Sequence, residues 1–388
     1  MPLVLGHVVR RDPDSSWAVR FANGAERHNG DTPPAFTLCV ADQPALDRLR
    51  ATDAYSAAMA YVRGEFDVDG DLYAAIRWKG PSAKSLLRGG LVDAVARCAT
   101  AMQSAFQTRA QTARHIRFHY DRSNEFYRLF LDPRMVYSCA YFRKPEMDLA
   151  EAQLAKLDHI CRKLDLAPGD RFLDIGCGWG ALIGHAADHY GVEATGCTLS
   201  LEQFEHASRN ERVQVLERDY RDLAGCFDKI ASVGMFEHVG RRRAPQYFAK
   251  MAELLEPGGL FLNHAIARPQ KVGDDASSLF VRRRIFPGGE LIHVGETIRF
   301  AEEAGFEVLD VENLRPHYAR TCRLWEQRLM AHREEALQLV DDRTFRAWRI
   351  WLAASSLSFE EGSSSIYQLL MAKQGTPRRK WTRDYMYR

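Results

Sequence analysis

A glycine-rich turn is the part of this chain whose residue types and spacing point most directly to chemistry. It reads Gly176-Cys177-Gly178-Trp179-Gly180 and follows a short apolar run that ends in Asp174 and Ile175. A strand that enters such a turn lets the backbone approach a ligand closely, and the N–H groups of the following helix suit a carboxylate. The spacing differs from G-x-G-x-x-G, which disfavours pyrophosphate binding. We therefore predict that Asp174, Gly176, Cys177 and Gly178 bind the methionine end of S-adenosylmethionine. The alternatives are a purely structural turn and an Asp174 that only fixes this turn through local hydrogen bonds.

Polar residues after the next two predicted strands are candidates for the rest of the cofactor. Thr198 and Gln203 stand where many nucleotide-binding sheets carry an acidic residue for the ribose. Ser200 and Gln203 also match the S-x-x-Q pattern of a helix capping box, and both interpretations are compatible. Further along, Tyr220 is expected to stack on adenine and Asp219 to accept its amine, unless both are ordinary loop residues.

Composition and charge narrow the class of protein. The chain has 388 residues, 46% of them hydrophobic, with 53 basic and 51 acidic side chains, so no global field favours nucleic acid. Eight cysteines without metal-ligand spacing and a start without a signal peptide's apolar stretch predict a cytoplasmic protein with no metal site. No window approaches the ~20 apolar residues of a membrane span, so we expect any membrane contact to be peripheral. The basic runs 241–243 and 282–284 are either solvated helix faces or contacts to anionic lipid.

The pattern along the chain predicts two domains, over residues 1–92 and 93–388. Short strands and helices alternate in the first, which we interpret as a small α+β unit, and an alanine-rich helix over 91–113 is expected to lead into the second. After a predicted helix over 149–164, helices alternate with strands, which indicates a doubly wound α/β sheet of Rossmann type. A helical region over 318–361 precedes a last apolar strand, which we expect to insert antiparallel at the sheet edge. The strands of the large sheet are predicted over 171–175, 192–198, 213–216, 229–233, 260–265, 306–311 and 366–372.

Several motifs together resemble the cyclopropane-fatty-acyl-phospholipid synthase family, which includes the mycolic acid cyclopropane synthases. The resemblance extends over residues 115–373 and is more specific than the glycine turn alone. It implies a class I methyltransferase fold with helical lipid-binding insertions. Residues 1–92 resemble the lipid-binding domain of the phospholipid enzymes in this family, which implies an intact phospholipid substrate. The motifs include His119-Tyr120-Asp121-Arg122-Ser123-Asn124, Tyr137-Ser138-Cys139-Ala140-Tyr141-Phe142, Gly234-Met235-Phe236-Glu237-His238-Val239-Gly240, Ile285-Phe286-Pro287-Gly288-Gly289 and Arg315-Pro316-His317-Tyr318.

The resemblance implies a reaction and a set of residues for it. In the family, the olefin of an unsaturated acyl chain attacks the sulfonium methyl, a bound bicarbonate accepts a proton, and a three-membered ring closes. An alkene is a weak nucleophile and its cation is trapped by water, so such a site must be dry and apolar. By position, Tyr120 and Ser138 would contact the cofactor. The bicarbonate site would consist of Cys139 and Ile266 through their backbones and of Glu237, His264 and Tyr318 through their side chains.

One position departs from the family pattern. A cysteine near the late helix, which has been considered catalytic, is replaced here by Ser355. Because methyl transfer from a sulfonium to an alkene requires no enzyme nucleophile, this replacement leaves the expected chemistry intact and argues against covalent catalysis at this residue. It also leaves room for an altered product.

Four interpretations remain open at this point. The first is a cyclopropane synthase that acts on phospholipid acyl chains at the inner membrane surface, with S-adenosylmethionine and bicarbonate. The second is a related enzyme with a methyl-branched or methylene product, and the others are a disabled lipid-binding protein and a small-molecule O- or N-methyltransferase. Acyl-chain length, double-bond position and headgroup are not determined, and a homodimer is compatible with the resemblance.

Overall fold

The computed structural model describes residues 16–78, 123–269, 276–377 and 380–387. The predicted helix over 91–113, the boundary at residue 92 and Tyr120 lie outside these ranges. The division into domains 1–92 and 93–388 therefore stays a prediction.

The N-terminal residues form a small α+β unit with its own sheet. Four strands pair in the order β2-β1-β3-β4, in which β1 and β3 are parallel and the other pairs antiparallel. Asp42 and Asp53 cap the first two helices by accepting backbone N–H groups, which explains where these helices begin. The elements are β1 Trp17–Phe21, β2 Glu26–Asn29, β3 Phe36–Val40, α1 Gln43–Ala51, α2 Ala54–Val62, β4 Phe66–Gly70 and α3 Leu72–Trp78.

The second sheet has seven strands and confirms the predicted Rossmann-like α/β fold. Their order is β10-β11-β9-β8-β5-β6-β7, and all pairs are parallel except those of β11, which is antiparallel to both neighbours. The strands are β5 Arg171–Ile175, β6 Glu193–Thr198, β7 Gln214–Glu217, β8 Phe227–Val233, β9 Leu255–Ala267, β10 Phe306–Asn313 and β11 Ser365–Lys373.

The prediction that the last strand lies at the sheet edge is wrong, although its antiparallel direction is correct. β11 lies between β9 and β10, and β10 forms the edge. Nearly every residue of β11 is buried, whereas β10 carries exposed residues at Val311 and Asn313. A continuously apolar strand needs neighbours on both sides and helices on both faces, which only an interior position supplies.

Helices cover both faces of this sheet. One face packs against helices α5, α6 and α14, through Leu157, Ile160, Ile183 and Met386, and the other packs against α8 and α10. The helices of this part are α4 Asn124–Arg128, α5 Leu149–Lys163, α6 Ala181–Tyr190, α7 Leu201–Ala207, α8 Ala244–Leu254, α9 Ala276–Arg284, α10 Val294–Glu303, α11 Arg315–Ala331, α12 Arg333–Leu339, α13 Asp342–Glu361 and α14 Asp384–Tyr387. In the part of the chain that the structure describes, no helix combines the length and the hydropathy that a bilayer crossing requires.

The predicted helical region over 318–361 consists of α11, α12 and α13, which form the scaffold of a separate aromatic core. Its rings include Phe126, Tyr127, Phe130, Trp325 and Trp348, all nearly inaccessible to solvent. The centroids of Phe130 and Trp348 are 5.6 Å apart, and those of Phe126 and Trp348 are 5.3 Å apart. We name this cluster of buried residues, which also contains Met59, Val62, Cys139 and Trp179, the aromatic core.

Arg346 of α13 joins the N-terminal unit to these helices. Its guanidinium is 7% exposed and donates to the carbonyls of Tyr61 at 2.6 Å and Phe66 at 2.7 Å. A third bond reaches the Asp67 carboxylate at 3.1 Å. This buried side chain therefore links the backbone of α2 and β4 to α13.

Replacing this arginine tests how strongly the two parts are coupled. Arg346→Leu should lower the free energy of unfolding by about 2–4 kcal/mol, because two carbonyls lose a charged donor and Asp67 loses its counterion. Urea denaturation followed by tryptophan fluorescence measures this change. Arg343→Leu, at an exposed position of the same helix, is the matched control and should stay within about 0.5 kcal/mol of the unchanged protein. Equal effects of both substitutions would contradict the assignment.

Candidate active site

A cavity opens at the carboxyl ends of the central parallel strands, where ligands bind in sheets of this kind. Its wall contains the glycine turn after β5, the start of α7 after β6, the loop after β7 and the loop after β8. All predicted cofactor residues except Tyr120, which is outside the described ranges, line this cavity. They are Ser138, Asp174, Gly176, Cys177, Gly178, Thr198, Gln203, Asp219 and Tyr220.

The glycine turn needs its glycines for backbone conformation and for space. Gly176, Gly178 and Gly180 have φ values of 78°, 55° and 86°, in the left-handed region. A Cβ atom at Gly176 would lie 3.1 Å from Met235 of the loop after β8. The N–H groups of Gly176 and Cys177 both donate to the Cys197 carbonyl at 3.0 Å, which anchors the turn to β6. The turn therefore brings backbone to the cavity wall, as the sequence predicts.

Asp174 is buried at the cavity wall without the local hydrogen bonds that would make it only a turn residue. Its side chain is 3% exposed, and Oδ1 has no hydrogen-bond partner among the described residues. Burial raises the pKa of this carboxyl to about 7, an effect that the nearby Lys156 ammonium opposes. A buried oxygen without a partner is expensive in a closed protein interior, so a ligand with a donor group fits this position.

The residues after β6 combine capping with a place on the cavity wall. Ser200 caps α7 by accepting the Gln203 N–H at 3.4 Å, which is one of the two bonds of the predicted capping box, whereas the Ser200 N–H donates to the Thr198 hydroxyl at 3.2 Å. The Gln203 side-chain oxygen accepts the Thr198 hydroxyl at 2.8 Å. Both side chains are thereby held in fixed positions at the cavity.

The loop after β7 places Tyr220 and Asp219 at the other end of the cavity. Tyr220 packs edge-on against the Tyr247 ring, with centroids 5.6 Å apart. Asp219 accepts the Arg221 side chain at 2.8 Å and the Arg221 N–H at 3.0 Å. The carboxylate that we expected to take the adenine amine is thus already paired with a guanidinium, a pairing that the sequence alone did not indicate.

The five residues predicted for the bicarbonate site are not among those lining the cofactor cavity, although two of them lie close in sequence to lining residues. Glu237 follows the cavity residues Gly234 and Met235, and Cys139 follows Ser138. His264 and Ile266 lie two residues apart on β9 and therefore face the same side of the sheet. Cys139 belongs to the aromatic core, and the half-buried Ile266 and Tyr318 pack against it.

The Glu237 side chain continues the hydrogen bonding of β9 beyond the point where β8 ends. Gly234 N–H donates to the His264 carbonyl at 2.8 Å, and two residues later on β9 the Ile266 N–H donates to Glu237 Oε1 at 2.7 Å. Oε2 is buried with no partner among the described residues. Burial raises the pKa of this carboxyl to about 7, and the Ile266 N–H opposes the effect. We expected the Ile266 backbone to serve the anion directly, but its N–H instead holds Glu237.

His264 is fully buried and is oriented by Gln368 of β11. The Gln368 side-chain nitrogen lies 3.3 Å from His264 Nδ1, and these residues are paired in register across β9 and β11. His264 Nε2 is without a partner among the described residues. Burial lowers the pKa of the imidazole well below its usual range, so the ring is neutral. If the amide donates to Nδ1, Nε2 carries the proton and is a donor.

Cys139 and Tyr318 lie at the aromatic core. The Cys139 thiol is buried and directed at the carbonyl of Ala140 at 3.3 Å, and burial raises its pKa well above the usual range. No hydrogen bond of the described residues uses the Cys139 N–H, so it remains available as a donor. The Tyr318 ring stacks on Phe359 with centroids 4.6 Å apart.

Two further polar residues at these sites were missed in the sequence. Lys156 lines the cofactor cavity from α5 and is 2% exposed, and Gln368 is completely buried. Each had a signal: Lys156 lies seven residues after Leu149 and four before Ile160, on the apolar stripe of its helix, and Gln368 interrupts an apolar strand. A polar residue at a core position marks either a structural pair or a site.

The fold and the cavity are those of a class I S-adenosylmethionine-dependent methyltransferase. Comparisons with known proteins agree with this class. The family model described as mycolic acid cyclopropane synthetase matches residues 107–369. A probable fatty acid methyltransferase of Pseudomonas putida is 38% identical over 371 residues, which cover 92% of each chain. Cyclopropane mycolic acid synthase MmaA2 of Mycobacterium tuberculosis is 36% identical over 280 residues, or 66% of this chain and 96% of that protein.

A solved structure of a relative contains the expected type of ligand. Mycolic acid cyclopropane synthase CmaA1 complexed with SAH and CTAB is 34% identical, has a TM-score of 0.65 and covers 67% of this chain and 98% of its own. The chain described here belongs to the mycolic acid cyclopropane synthetase family. Its glycine turn and the unpartnered Asp174 oxygen fit S-adenosylmethionine as the co-substrate.

The glycine turn can be tested by adding a side chain at the cavity. Gly178→Val should weaken S-adenosylhomocysteine binding by roughly tenfold or more, because a branched side chain narrows the cavity and disfavours the left-handed turn. Isothermal titration calorimetry measures the affinity.

Gly169→Val is the matched control for this substitution. Gly169 also has a left-handed φ, of 85°, with open space around its Cβ position, but it precedes β5 and does not line the cavity. The Gly169→Val variant should lose a comparable amount of stability and keep its affinity for S-adenosylhomocysteine. Normal affinity in Gly178→Val would refute the assignment of the turn.

Proposed function

We propose that this enzyme transfers a methylene group from S-adenosylmethionine to the double bond of an unsaturated phospholipid acyl chain, with bicarbonate as the proton acceptor. The observation that supports this most directly is that Glu237 Oε2 and His264 Nε2 are buried without partners among the described residues. Glu237 follows β8, and His264 lies opposite Val233, a cavity residue, on the neighbouring strand β9.

The aromatic core supports an apolar substrate. Tyr137 and Trp179 line the cofactor cavity and also belong to, or pack against, this core. The Tyr137 ring lies 5.2 Å from Trp325, and Tyr127 lies 4.9 Å from Trp179, centroid to centroid. Such walls exclude water and present π faces, which attract a positive charge. An acyl chain that reaches the methyl donor through this core would react in an environment that protects a carbocation.

The polar atoms beside this core fit a small anion that is itself a hydrogen-bond donor and acceptor. The neutral His264 ring offers one N–H, the Cys139 backbone offers another, and Glu237 Oε2 offers an acceptor for an O–H. Bicarbonate has this combination of groups. A carboxylate of the substrate would have no O–H for Glu237 unless it were protonated.

The chain's own residues would orient the two substrates, exclude water and hold the proton acceptor. S-adenosylmethionine, when bound, supplies an electrophilic methyl group. The glycine turn and Asp174 hold its methionine end, the aromatic core positions the alkene, and Glu237 and His264 fix the anion that takes the proton. The high pKa of the Cys139 thiol and its contacts with carbonyls argue against a thiolate nucleophile.

An intact phospholipid at a membrane surface is supported by the N-terminal unit. Met59 and Val62 of α2 are buried in the aromatic core, so this unit contributes to the same apolar region as the catalytic part. Arg283 and Arg284 are exposed at the end of α9, next to α2, where Arg283 contacts the Tyr55 ring at 5.7 Å. Basic residues at this position suit anionic headgroups, each with about 1 kcal/mol of attraction. We propose a cytoplasmic enzyme in peripheral contact with the inner membrane surface.

A methyl-branched or methylene product is the second candidate. The relative that aligns with 92% of this chain is named a probable fatty acid methyltransferase, whereas the cyclopropane synthase aligns with 66%. The two products differ in which proton leaves the carbocation, and therefore in how the acceptor is placed relative to the alkene. Ser355 in place of the family cysteine is compatible with either outcome.

The product itself distinguishes these candidates. With phosphatidylglycerol vesicles that carry monounsaturated chains, we expect an added mass of one CH₂ and loss of the double bond. Mass spectrometry combined with ozonolysis measures both. A cyclopropane resists ozonolysis, a methylene product is cleaved, and a saturated methyl-branched chain has two further hydrogens. No modification of any unsaturated lipid, despite cofactor binding, would contradict the proposed function.

Glu237→Gln tests whether Glu237 holds the bicarbonate that accepts the proton. The amide keeps an oxygen for the Ile266 N–H but loses the charge, so turnover should fall by roughly 100-fold while S-adenosylhomocysteine affinity changes little. Enzyme freed of dissolved carbon dioxide should lose activity and regain it when bicarbonate is added, and the variant should not respond. Undiminished turnover of the variant, or indifference of the unchanged enzyme to bicarbonate, would remove this site from the mechanism.

A further inference from the structure

Lys156 is a buried cation at the cofactor cavity whose charge no carboxylate of the described residues neutralises by an ion pair. It lies in the middle of α5, is 2% exposed, and makes one hydrogen bond, from Nζ to Ser138 Oγ at 3.0 Å. Asp132 and Asp174 are the acidic groups near it. An isolated buried charge is costly, so its place beside a ligand cavity requires an explanation.

The nearest acidic groups are not its ion-pair partners. The Asp132 carboxylate accepts the N–H groups of Arg134 at 3.1 Å and Val136 at 2.9 Å, so it serves the loop before Ser138. Asp174 has one oxygen with no partner in the described part of the chain. Burial lowers the pKa of the Lys156 ammonium to about 8, and the two carboxylates oppose this effect, so the side chain remains a cation at neutral pH.

The hydrogen bond to Ser138 determines what that hydroxyl can do. A lysine ammonium has only donors, so Ser138 Oγ must be the acceptor in this contact. The hydroxyl hydrogen is consequently free to donate elsewhere, and Ser138 lines the cofactor cavity. Gln153, one turn earlier on α5, donates to the Ser138 carbonyl at 2.8 Å and holds the residue in place.

The position of these groups in the cavity indicates which part of the cofactor they contact. Lys156, Ser138 and Asp174 gather near the glycine turn after β5, whereas Tyr220 lies after β7 at the far side of the sheet. The end of the cavity at the glycine turn is the one that we assign to the methionyl group. This group carries one carboxylate and one ammonium, and the wall here offers one cation with a donor hydroxyl and one carboxylate.

We propose that Lys156 recognises the carboxylate of the methionyl group: it holds the Ser138 hydroxyl as a donor toward this carboxylate and supplies the buried positive charge that the carboxylate faces. Asp174 takes the ammonium of the same group. Lys156 is thus a residue for cofactor binding and positioning, and its effect is independent of the lipid substrate and of bicarbonate.

The test compares two ligands that differ only in this carboxylate. S-adenosylhomocysteine and its decarboxylated analogue are titrated calorimetrically into the full-length enzyme and into Lys156→Met, which keeps side-chain length and removes the charge. We expect the variant to bind S-adenosylhomocysteine about 10- to 100-fold more weakly, the range for a lost charged hydrogen bond. The decarboxylated analogue should bind the variant as well as the unchanged enzyme, or better.

Lys163→Met is the matched control. Lys163 is a second fully buried lysine of α5, but it is paired with Asp310 at 3.0 Å and Glu312 at 2.6 Å and does not line the cavity. Its replacement should lower the thermal midpoint and leave the discrimination between the two ligands intact. Lys156→Met breaks no ion pair of the described residues, so the midpoint of its thermal unfolding without ligand should not fall.

Two outcomes would overturn the proposal. Equal weakening of both ligands in Lys156→Met would indicate a general role in shaping the cavity, and unchanged affinity for both would remove Lys156 from cofactor recognition. Ser138→Ala adds a further check: combined with Lys156→Met, it should add little to the loss, because both substitutions interrupt the same contact. Full additivity would contradict the shared role.

Discussion

The hydrogen bond between the Ile266 N–H and Glu237 is the interaction on which the geometry beside the cofactor cavity depends. β8 ends at Val233 while β9 continues to Ala267, so the ladder lacks a strand there. The carboxylate of Glu237 supplies the missing acceptor, and a buried N–H without one would cost about 1–3 kcal/mol. The same bond fixes the loop whose first residues, Gly234 and Met235, form the cavity wall. This single contact therefore fixes the cofactor cavity wall and the proposed anion site in one geometry.

Burial has one consistent effect on the ionisable groups around these pockets. It raises the pKa values of Asp174, Glu237 and Cys139 and lowers that of His264, in each case toward the neutral form. Lys156 is affected in the same direction but keeps its proton at neutral pH. Burial thus keeps the polarity around these groups low, which suits a protein that admits an apolar chain.

The sequence predicted those parts of the fold and the site that local patterns encode. The glycine turn, the alternation of strands and helices, and the positions of Thr198 and Tyr220 after their strands all follow from spacing within short segments. The interior position of β11, the pairing of Asp219 with Arg221 and the role of the Ile266 N–H depend on segments far apart in the chain, and no local pattern contains them. Lys156 and Gln368 lie between these cases, because their polarity conflicts with an apolar pattern but their partners come from other elements.

The location of β11 has a consequence for how the enzyme matures. This strand follows β10 and three helices along the chain, yet it lies between β9 and β10 and brings Gln368 to His264. A nascent chain that has emerged only as far as α13 has its glycine turn but lacks the strand that completes the sheet interior. Long-range pairing of this kind forms late and slowly. The orientation of His264 by Gln368 is thereby coupled to the insertion of β11, and a folding intermediate without this strand would leave the facing edges of β9 and β10 unpaired.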